Sequence, residues 1–418
     1  MKAQDISAEN RLLGADTCAI DSISADDIAV DSVIVDSIDV DSCVIDSVIP
    51  WPQSLQLYLD NIIERSELLK TSQLGLMVYD LDADSTLYVH NARQLMRPAS
   101  TMKLITAITA LDKLGGAYQF KTRLKYTGEV IDSVHTLKGD VYLVGGMDPR
   151  IGHDDLVAFA ESLKKLNIDT IRGSVFVDKS MKHKDLYGEG WCWDDDNPEL
   201  SACVYGRKDN MGENFLKVLK SCGIHHEGEI AEHTTPSAAK ELCSRSHSID
   251  QILHKMMKDS NNLYAESMYY NVGLTQGKPA TAKGAQNVEK NLIRKMGLNP
   301  SRYRLADGSG LSLYNYVTAE LEVRFLRYAY QNSNIFNNLY SSLPIAGEDG
   351  TLSKRMRKTK AAGNVHAKTG TLTGISSLAG YVTASNNHRL AFCIINQGVL
   401  NGANAKAFQD KVCVELTK

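Results

Sequence analysis

The chain has 418 residues, of which 43% are hydrophobic and 23% are charged, and its formal net charge is −4. This composition is ordinary for a soluble globular protein of two or three domains. No apolar run is long enough for a membrane-spanning helix, and no basic cluster with interleaved aromatic residues indicates nucleic-acid binding.

The first 50 residues form an acidic repeat. Their net charge is −9, which leaves +5 for the rest of the chain. An aspartate recurs every five residues from Asp21 to Asp46, mostly among Ile and Val. We predict a low-complexity arm over residues 1–50; a short β-solenoid-like strip is the alternative, because Ile and Val favour strands. No basic segment precedes an apolar one here, so we expect no secretory signal peptide in this sequence.

Two kinds of element follow the arm. The spacing of apolar residues over 55–63 predicts an amphipathic helix. Residues 75–81 and 85–90 are predicted as the two strands of a hairpin joined by Asp82-Ala83-Asp84.

Ser100 and Lys103 come next, at the start of a mostly apolar helix. Residues three apart on a helix share a face, with Cβ atoms about 5–6 Å apart. A hydroxyl and an amine held side by side are the minimal layout of a serine nucleophile whose base is a lysine. The same spacing recurs at two other places, Ser162 with Lys165 and Ser237 with Lys240. Only the Ser100 copy leads into an apolar helix, where a lysine is costly without a partner or a function.

Short strand-like pieces and one helix are predicted between residues 119 and 245. We interpret this segment as an inserted α+β subdomain. Cysteines in and near it allow two disulfides, Cys192 with Cys203 and Cys222 with Cys243, or none. No Cys-x-x-Cys and no His-Glu-x-x-His pattern is present, so we expect neither a metal site nor a cofactor.

The chain becomes helical again from Ile249. Residues 307–312 form a tight turn, and residues 366–373, 376–383 and 389–396 are predicted as three consecutive strands, followed by a helix over 403–416. Helices at both ends of an antiparallel sheet predict an α+β fold. We therefore expect a catalytic domain built from residues 51–118 and 246–418, interrupted by the subdomain at 119–245.

Three short motifs carry the chemistry in this order: Ser100-x-x-Lys103, Ser260-x-Asn262 and Lys368-Thr369-Gly370. Each motif alone is weak, but the ordered set is highly specific. Ser100 is expected to attack a carbonyl carbon and Lys103 to take its proton. The amine must then be neutral, and both burial and the charge of Lys368 would lower its pKa.

The remaining motif residues have distinct expected roles. Ser260 can pass a proton to the leaving amine, and Asn262 can hold Lys103 and a substrate amide. Lys368, Thr369 and Thr371 are expected to bind a substrate carboxylate, while Gly370 lets the substrate lie close to the strand. The backbone N–H groups of Ser100 and Thr371 are the predicted oxyanion hole.

At these residues the chain resembles the D-alanyl-D-alanine carboxypeptidase/endopeptidase family, the class C low-molecular-mass penicillin-binding proteins. The similarity runs over roughly residues 54–415. It includes four further stretches: Gly145-Gly146-Met147-Asp148-Pro149, Gly190-Trp191-Cys192-Trp193-Asp194-Asp195, Asp307-Gly308-Ser309-Gly310-Leu311-Ser312 and Ala367-Lys368-Thr369-Gly370-Thr371-Leu372.

The resemblance implies a β-lactamase/transpeptidase-like fold and an exported enzyme of the periplasm or cell envelope. Its substrates would be peptidoglycan stem peptides, cleaved through an acyl-serine intermediate, and β-lactam antibiotics would be covalent inhibitors. Asp148 is implied as a contact for the amino group of a diamino acid in the stem; a turn residue before Pro149 is the alternative. The interval between Ser100 and Ser260 is shorter than is usual for the family, which predicts that one inserted subdomain is missing after Trp193.

Two other functions compete with a D,D-peptidase. A serine β-lactamase needs fast deacylation by a positioned carboxylate, and no Glu-x-x-x-Asn loop follows Ser260. A non-catalytic envelope-binding protein would keep the pocket without the reaction. The intact set of Ser100, Lys103, Ser260, Asn262 and Lys368 argues against lost catalysis.

Overall fold

The computed structural model describes residues 49–192 and 197–418. Residues 50–418 form one compact unit, and the predicted repeat arm over 1–50 lies almost wholly outside the described residues. Within the described part of the chain, no helix is long and apolar enough to cross a membrane. The six cysteines in that part are all free thiols, so neither of the two disulfides considered above is formed.

A five-stranded antiparallel sheet forms the centre of the molecule, and its strand order is β12-β13-β14-β1-β2. The predicted hairpin and the three later strands are all confirmed, with ends that differ by at most two residues. The bounds are Gln73–Asp80 for β1, Ser85–His90 for β2, His366–Leu372 for β12, Ile375–Thr383 for β13 and Arg389–Gln397 for β14.

Helices cover both faces of this sheet because side chains alternate along each strand. On β1, Leu76 and Val78 point into a core shared with the terminal helices α1 (Gln53–Glu64) and α10 (Gly402–Glu415). Met77, between them, points into the opposite core with the helices in the middle of the chain. The prediction of two terminal helices against one face of the sheet is therefore confirmed.

The helices on the other face carry the site. They are α2 (Met102–Leu114), α5 (Ile249–Lys258), α6 (Asn262–Leu274), α7 (Ala282–Lys295), α8 (Ala319–Tyr330) and α9 (Ser333–Ser342). Helix α2 is buried along residues 102–111, as its apolar sequence predicts. A buried helix of this kind holds its first turn rigidly against the sheet.

In the described part of the segment between residues 119 and 248 there are two sheets and two α-helices. One sheet has the order β10-β8-β6-β3-β11 and the other β4-β5-β7-β9. The strands are β3 (Gln119–Tyr126), β4 (Glu129–Ile131), β5 (Thr136–Lys138), β6 (Val141–Val144), β7 (Thr170–Ile171), β8 (Val175–Asp178), β9 (His225–His226), β10 (Ile230–Glu232) and β11 (Lys240–Ser248). The helices are α3 (His153–Lys164) and α4 (Met211–Ser221).

The expectation of one helix in this segment is wrong. Helix α4 buries Met211, Phe215, Val218 and Leu219, which are spaced for one helical face. The long strand β11 is also absent from the sequence prediction. Its residues are mostly polar and partly exposed, so they lack the apolar alternation on which strand prediction depends. The domain limits 119–245 stay a prediction, since residues 50–418 form a single compact unit.

Candidate active site

Ser100 lies in a tight turn that leads into helix α2. The turn is the short 3-10 helix Ala99–Thr101, and Ala99 has a left-handed φ of 50°. Such a conformation costs a non-glycine residue about 1–3 kcal/mol, and it persists where surrounding packing fixes it. Gly310 supplies that packing, because a Cβ on it would lie 1.8 Å from the Ala99 carbonyl oxygen.

Lys103 is fully buried one turn after the serine. Its Nζ donates hydrogen bonds to Ser100 Oγ at 2.9 Å, to Asn262 Oδ1 at 2.7 Å and to the Ser309 carbonyl oxygen at 2.7 Å. Burial lowers the pKa of Lys103 to about 7, although the carboxyl groups of Asp307 and Glu266 oppose this shift. The amine is thus within reach of the serine proton and is uncharged in a large fraction of molecules near neutral pH.

Lys368 is the second buried amine of the site. Its Nζ donates to Ser260 Oγ at 2.8 Å and to the Thr369 carbonyl oxygen at 2.7 Å. Burial holds the pKa of Lys368 well below its usual range, and the charge of Lys103 lowers it further. Ser260 has a left-handed φ of 58°, which turns its hydroxyl toward Lys368 at the strained junction between α5 and α6.

Strand β12 runs directly beside the nucleophile. A Cβ on Gly370 would lie 2.1 Å from Ser377 Oγ, 2.7 Å from the Pro98 carbonyl oxygen and 2.9 Å from the Ser100 nitrogen. Only glycine therefore fits at this point of the Lys-Thr-Gly motif. Thr371, one residue later, is exposed, while the hydroxyl of Thr369 donates to Thr351 Oγ1 at 2.8 Å.

The turn at residues 307–312 presents the third partner of Lys103. Glu266 Oε1 accepts from the backbone nitrogens of Gly308 at 3.1 Å and Ser309 at 2.8 Å, which aims the Ser309 carbonyl at the amine. Burial, together with the charge of Asp307, raises the pKa of Glu266 to about 8. Glu266 belongs to none of the three sequence motifs, although it lies four residues after Asn262 and thus on the same face of α6.

Asp307 organises this turn. Its carboxyl oxygens accept from the backbone nitrogens of Gly310 at 2.8 Å and Ser312 at 2.7 Å, and from Asn315 Nδ2 at 2.7 Å. Trp191 Nε1, from the segment between β8 and α4, donates to the same carboxyl at 2.8 Å. The sequence around residue 307 predicts a turn, but its link to Trp191 is a tertiary contact between residues 116 positions apart.

Asp148 lies in a different environment from the motif residues. It is fully buried, and its Oδ2 is 2.7 Å from His247 Nδ1 while its Oδ1 accepts from the Arg150 nitrogen at 3.0 Å. Both carboxyl oxygens therefore have partners in this structure. The substrate contact suggested for Asp148 stays a prediction, and it would require His247 to give way.

The two other Ser-x-x-Lys pairs do not form such a site. Ser162 is buried and donates to the carbonyl oxygen of Phe159, and Lys165 follows the end of α3. Ser237 and Lys240 are both exposed. Within residues 49–192 and 197–418, no group of three or more metal-ligating side chains is present.

Hydrogen bonds group the five predicted residues into two sets: Lys103 with Ser100 and Asn262, and Lys368 with Ser260. A serine hydroxyl beside an uncharged amine can attack a carbonyl carbon. A second hydroxyl beside a second amine can return a proton to a leaving group. This is the chemistry of acyl transfer.

Comparison with known proteins agrees with this chemistry. A family model described as the D-Ala-D-Ala carboxypeptidase 3 (S13) family matches residues 55–208 and 196–418. A D-alanyl-D-alanine carboxypeptidase of Actinomadura sp. (strain R39) is 28% identical over 462 residues, covering 86% of this chain and 84% of the relative. Carboxypeptidase DacB of Mycolicibacterium smegmatis is 38% identical over 365 residues and covers 78% of each chain.

The fold is shared with a solved structure as well. Penicillin-binding protein 4 of Haemophilus influenzae superposes with a TM-score of 0.79 at 24% identity, covering 86% of this chain and 99% of its own. A second structure of that protein contains a β-lactam and has a TM-score of 0.74 over the same coverage. These likenesses confirm the expected fold.

Proposed function

This chain belongs to the D-Ala-D-Ala carboxypeptidase 3 (S13) family and is a serine peptidase, and we propose that it uses Ser100 to remove the terminal D-alanine from peptidoglycan stem peptides. One observation carries the assignment of Ser100: its Oγ lies 2.9 Å from a fully buried lysine amine whose pKa is lowered to about 7. Hydrolysis of cross-links between stems is the second activity proposed for the same site.

In the first half of the reaction, Ser100 Oγ attacks the carbonyl carbon of the penultimate D-alanine. Its proton passes to the uncharged Nζ of Lys103, and the carbonyl oxygen becomes an oxyanion held by the backbone N–H groups of Ser100 and Thr371. Asn262 and the Ser309 carbonyl keep the lysine in place. The intermediate collapses, the C–N bond breaks, and the proton held by Lys103 passes through Ser260 to the amine of the departing D-alanine, so that Lys103 is uncharged again.

In the second half, water attacks the acyl-serine ester. The uncharged Lys103 takes a proton from that water, the Ser100–acyl bond breaks, and Lys103 returns the proton to Ser100 Oγ, which restores the hydroxyl. Lys368 binds the terminal carboxylate in the first half: an incoming negative charge raises the pKa of an amine, so the substrate itself favours the charged form of Lys368. Because peptidoglycan stem peptides are the proposed substrate, the enzyme is expected to work in the cell envelope.

The function is tested by incubating the protein with labelled penicillin and with a stem-peptide analogue that ends in D-Ala-D-Ala. We expect label on Ser100, slow release of the drug, and free D-alanine from the analogue. Rapid turnover of the drug without D-alanine release would instead support the β-lactamase, and absence of both label and turnover would support the non-catalytic binding protein.

The rate should depend on pH in a defined direction. Because Lys103 must be uncharged and its pKa is about 7, activity is lost as pH falls through 7. The second-order constant kcat/KM reports groups of the free enzyme, so it should drop about tenfold for each pH unit below about 6. D-alanine release between pH 5 and 8 measures this limb, with thermal unfolding as the control for folding. An acidic limb centred above pH 9 would contradict the lowered pKa.

Substitution of Lys368 should separate two kinds of substrate. For Lys368→Ala we expect a loss in kcat/KM of about 100-fold on peptides with a free terminal carboxylate, since truncating a buried charge partner costs about 2–5 kcal/mol. Amidated versions of the same peptides should lose much less. Lys360→Ala, at an exposed position, is the matched control and should leave both rates unchanged. Equal losses for acid and amide would remove the carboxylate role.

A further inference from the structure

A chain of buried polar groups runs behind Ser100, from helix α8 to strand β13. Glu322 Oε1 lies 2.7 Å from Thr101 Oγ1, and Thr101 Oγ1 lies 2.9 Å from the Pro98 carbonyl oxygen. Ser377 Oγ donates to the same carbonyl at 2.5 Å. All three side chains are at most 1% exposed. These buried groups therefore connect the turn that carries the nucleophile to β13, the strand beside the Lys-Thr-Gly motif.

The hydrogens available for these buried hydrogen bonds can be counted. Ser377 supplies the hydrogen for its own contact with Pro98 O. Two further contacts of Thr101 Oγ1, to Pro98 O and to Glu322 Oε1, are short enough for strong hydrogen bonds, whereas its contact with Ser377 Oγ is longer, at 3.4 Å. Thr101 has one hydroxyl hydrogen and can satisfy only one of the two short contacts. A neutral carboxyl group on Glu322 supplies the hydrogen for the other.

The surroundings of Glu322 favour a neutral carboxyl group. Cys393 Sγ lies 3.3 Å from Oε2 and can donate to a carbonyl-like oxygen, while its own pKa is raised by burial and by Glu322. No described basic side chain forms an ion pair with Glu322: on α8, Arg324 lies over the ring of Tyr79. The Lys103 amine, on α2, is hydrogen-bonded to Ser100, Asn262 and Ser309 and not to Glu322. Burial raises the pKa of Glu322 to about 7, opposed by the hydrogen bonds with Thr101 and Cys393.

We propose that Glu322 is a positioning residue of the peptidase: as a neutral acid it donates to Thr101, so that Thr101 and Ser377 together hold the Pro98 carbonyl and fix the turn of Ser100. The proposal rests on the function proposed for Ser100. An ionised Glu322 would instead accept the hydrogen of Thr101, and Pro98 would keep only Ser377. The turn then loses one of its two anchors, beside the strained Ala99.

Two substitutions separate hydrogen bonding from packing. Glu322→Gln keeps a donor and an acceptor but cannot ionise, and we expect its acylation rate by penicillin to stay within about threefold of the wild type near pH 6. Glu322→Leu has no hydrogen to give and should acylate about 10–100-fold more slowly, since small misplacements of reacting groups have effects of this size. Thr101→Val should show a similar loss, and the double variant little more, because the two residues act as one unit.

The ratio of kcat/KM for Glu322→Gln over the wild type should also rise from pH 6 to pH 9, because only the wild type can ionise at this position. A purely structural role would leave that ratio constant. Equal losses for the Gln and Leu variants, or none for the Leu variant, would overturn the proposal.

A direct readout does not depend on activity. The infrared difference spectrum of wild type minus Glu322→Gln at pH 6 should contain the C=O band of a neutral carboxylic acid. Carboxylate bands in its place would overturn the proposal, even if the variant is inactive. Penicillin that labels Ser100 while the carboxylate bands appear would refute the role of Glu322 alone. Absence of label on Ser100 would refute the proposed function itself.

Discussion

Replacing Ser100 by alanine should lower kcat/KM for D-alanine release by about 10⁴-fold or more, because loss of a covalent nucleophile leaves only binding and oxyanion stabilisation. The fold should be preserved, since Lys103 keeps Asn262 and Ser309 as partners. Mass spectrometry of the penicillin-treated protein should then find no adduct, while D-alanine release and the thermal unfolding temperature are measured in parallel.

Ser237→Ala is the matched control for this substitution. Ser237 stands in the same Ser-x-x-Lys spacing but is exposed, so its loss should change neither the rate nor the adduct. A covalent adduct that persists in Ser100→Ala would assign the nucleophile to another residue.

The second large effect is expected at Lys103. Lys103→Met keeps the length of the side chain but cannot take a proton, and general-base catalysis contributes about 10²–10⁴-fold. We expect acylation to slow by about 10³-fold or more. Lys103→Arg should be equally slow, because a guanidinium stays protonated in proteins. Stopped-flow measurement of penicillin acylation tests both variants.

The pair of variants also distinguishes two roles for the lysine. An active Lys103→Arg enzyme would mean that positive charge, rather than proton transfer, is what the serine requires. In Lys103→Met the residual rate should no longer fall as pH drops through 7, since the titrating amine is gone. Circular dichroism serves as the folding control, because the substitution leaves Asn262 Oδ1 and Ser309 O without a donor, at about 1–3 kcal/mol each.

Much of the site follows from local sequence, and the reasons are physical. Ser100 and Lys103 are on one helical face because of their spacing, and the apolar pattern of α2 predicts the burial that lowers the pKa of Lys103. The three motifs in their order predict the two hydrogen-bonded groups, Ser100–Lys103–Asn262 and Ser260–Lys368. Strands β1 and β14 of the central sheet are also predictable from the sequence, because their apolar residues are nearly continuous.

The remaining parts depend on tertiary contacts that spacing does not encode. The Ser309 partner of Lys103 is a backbone carbonyl, so no side-chain pattern announces it. Glu322 lies two residues from Glu320, which pairs with Arg93, and the pair resembles an ordinary charged helix face in sequence. Burial lowers the pKa of Lys103, as expected, but the effect expected from Lys368 is absent from the causes of that shift; the charge of Lys103 instead lowers the pKa of Lys368. Only the folded structure shows which acidic and basic side chains are buried.

The pairing of β3 with β11 has a consequence for how this enzyme can diversify. Gln119 stands opposite Ser248, and Ile249 donates a hydrogen bond to Tyr118 O at 2.9 Å. The chain thus leaves the catalytic core and returns to it at adjacent points, so that the segment between them is an insertion whose two ends lie side by side. An insertion of this kind can be lengthened, shortened or exchanged while α2 and α5 keep their relative positions. Trp191 is one of the side chains that join the insertion to the catalytic core, because its indole donates a hydrogen bond to Asp307 in the turn whose Ser309 carbonyl contacts the catalytic lysine.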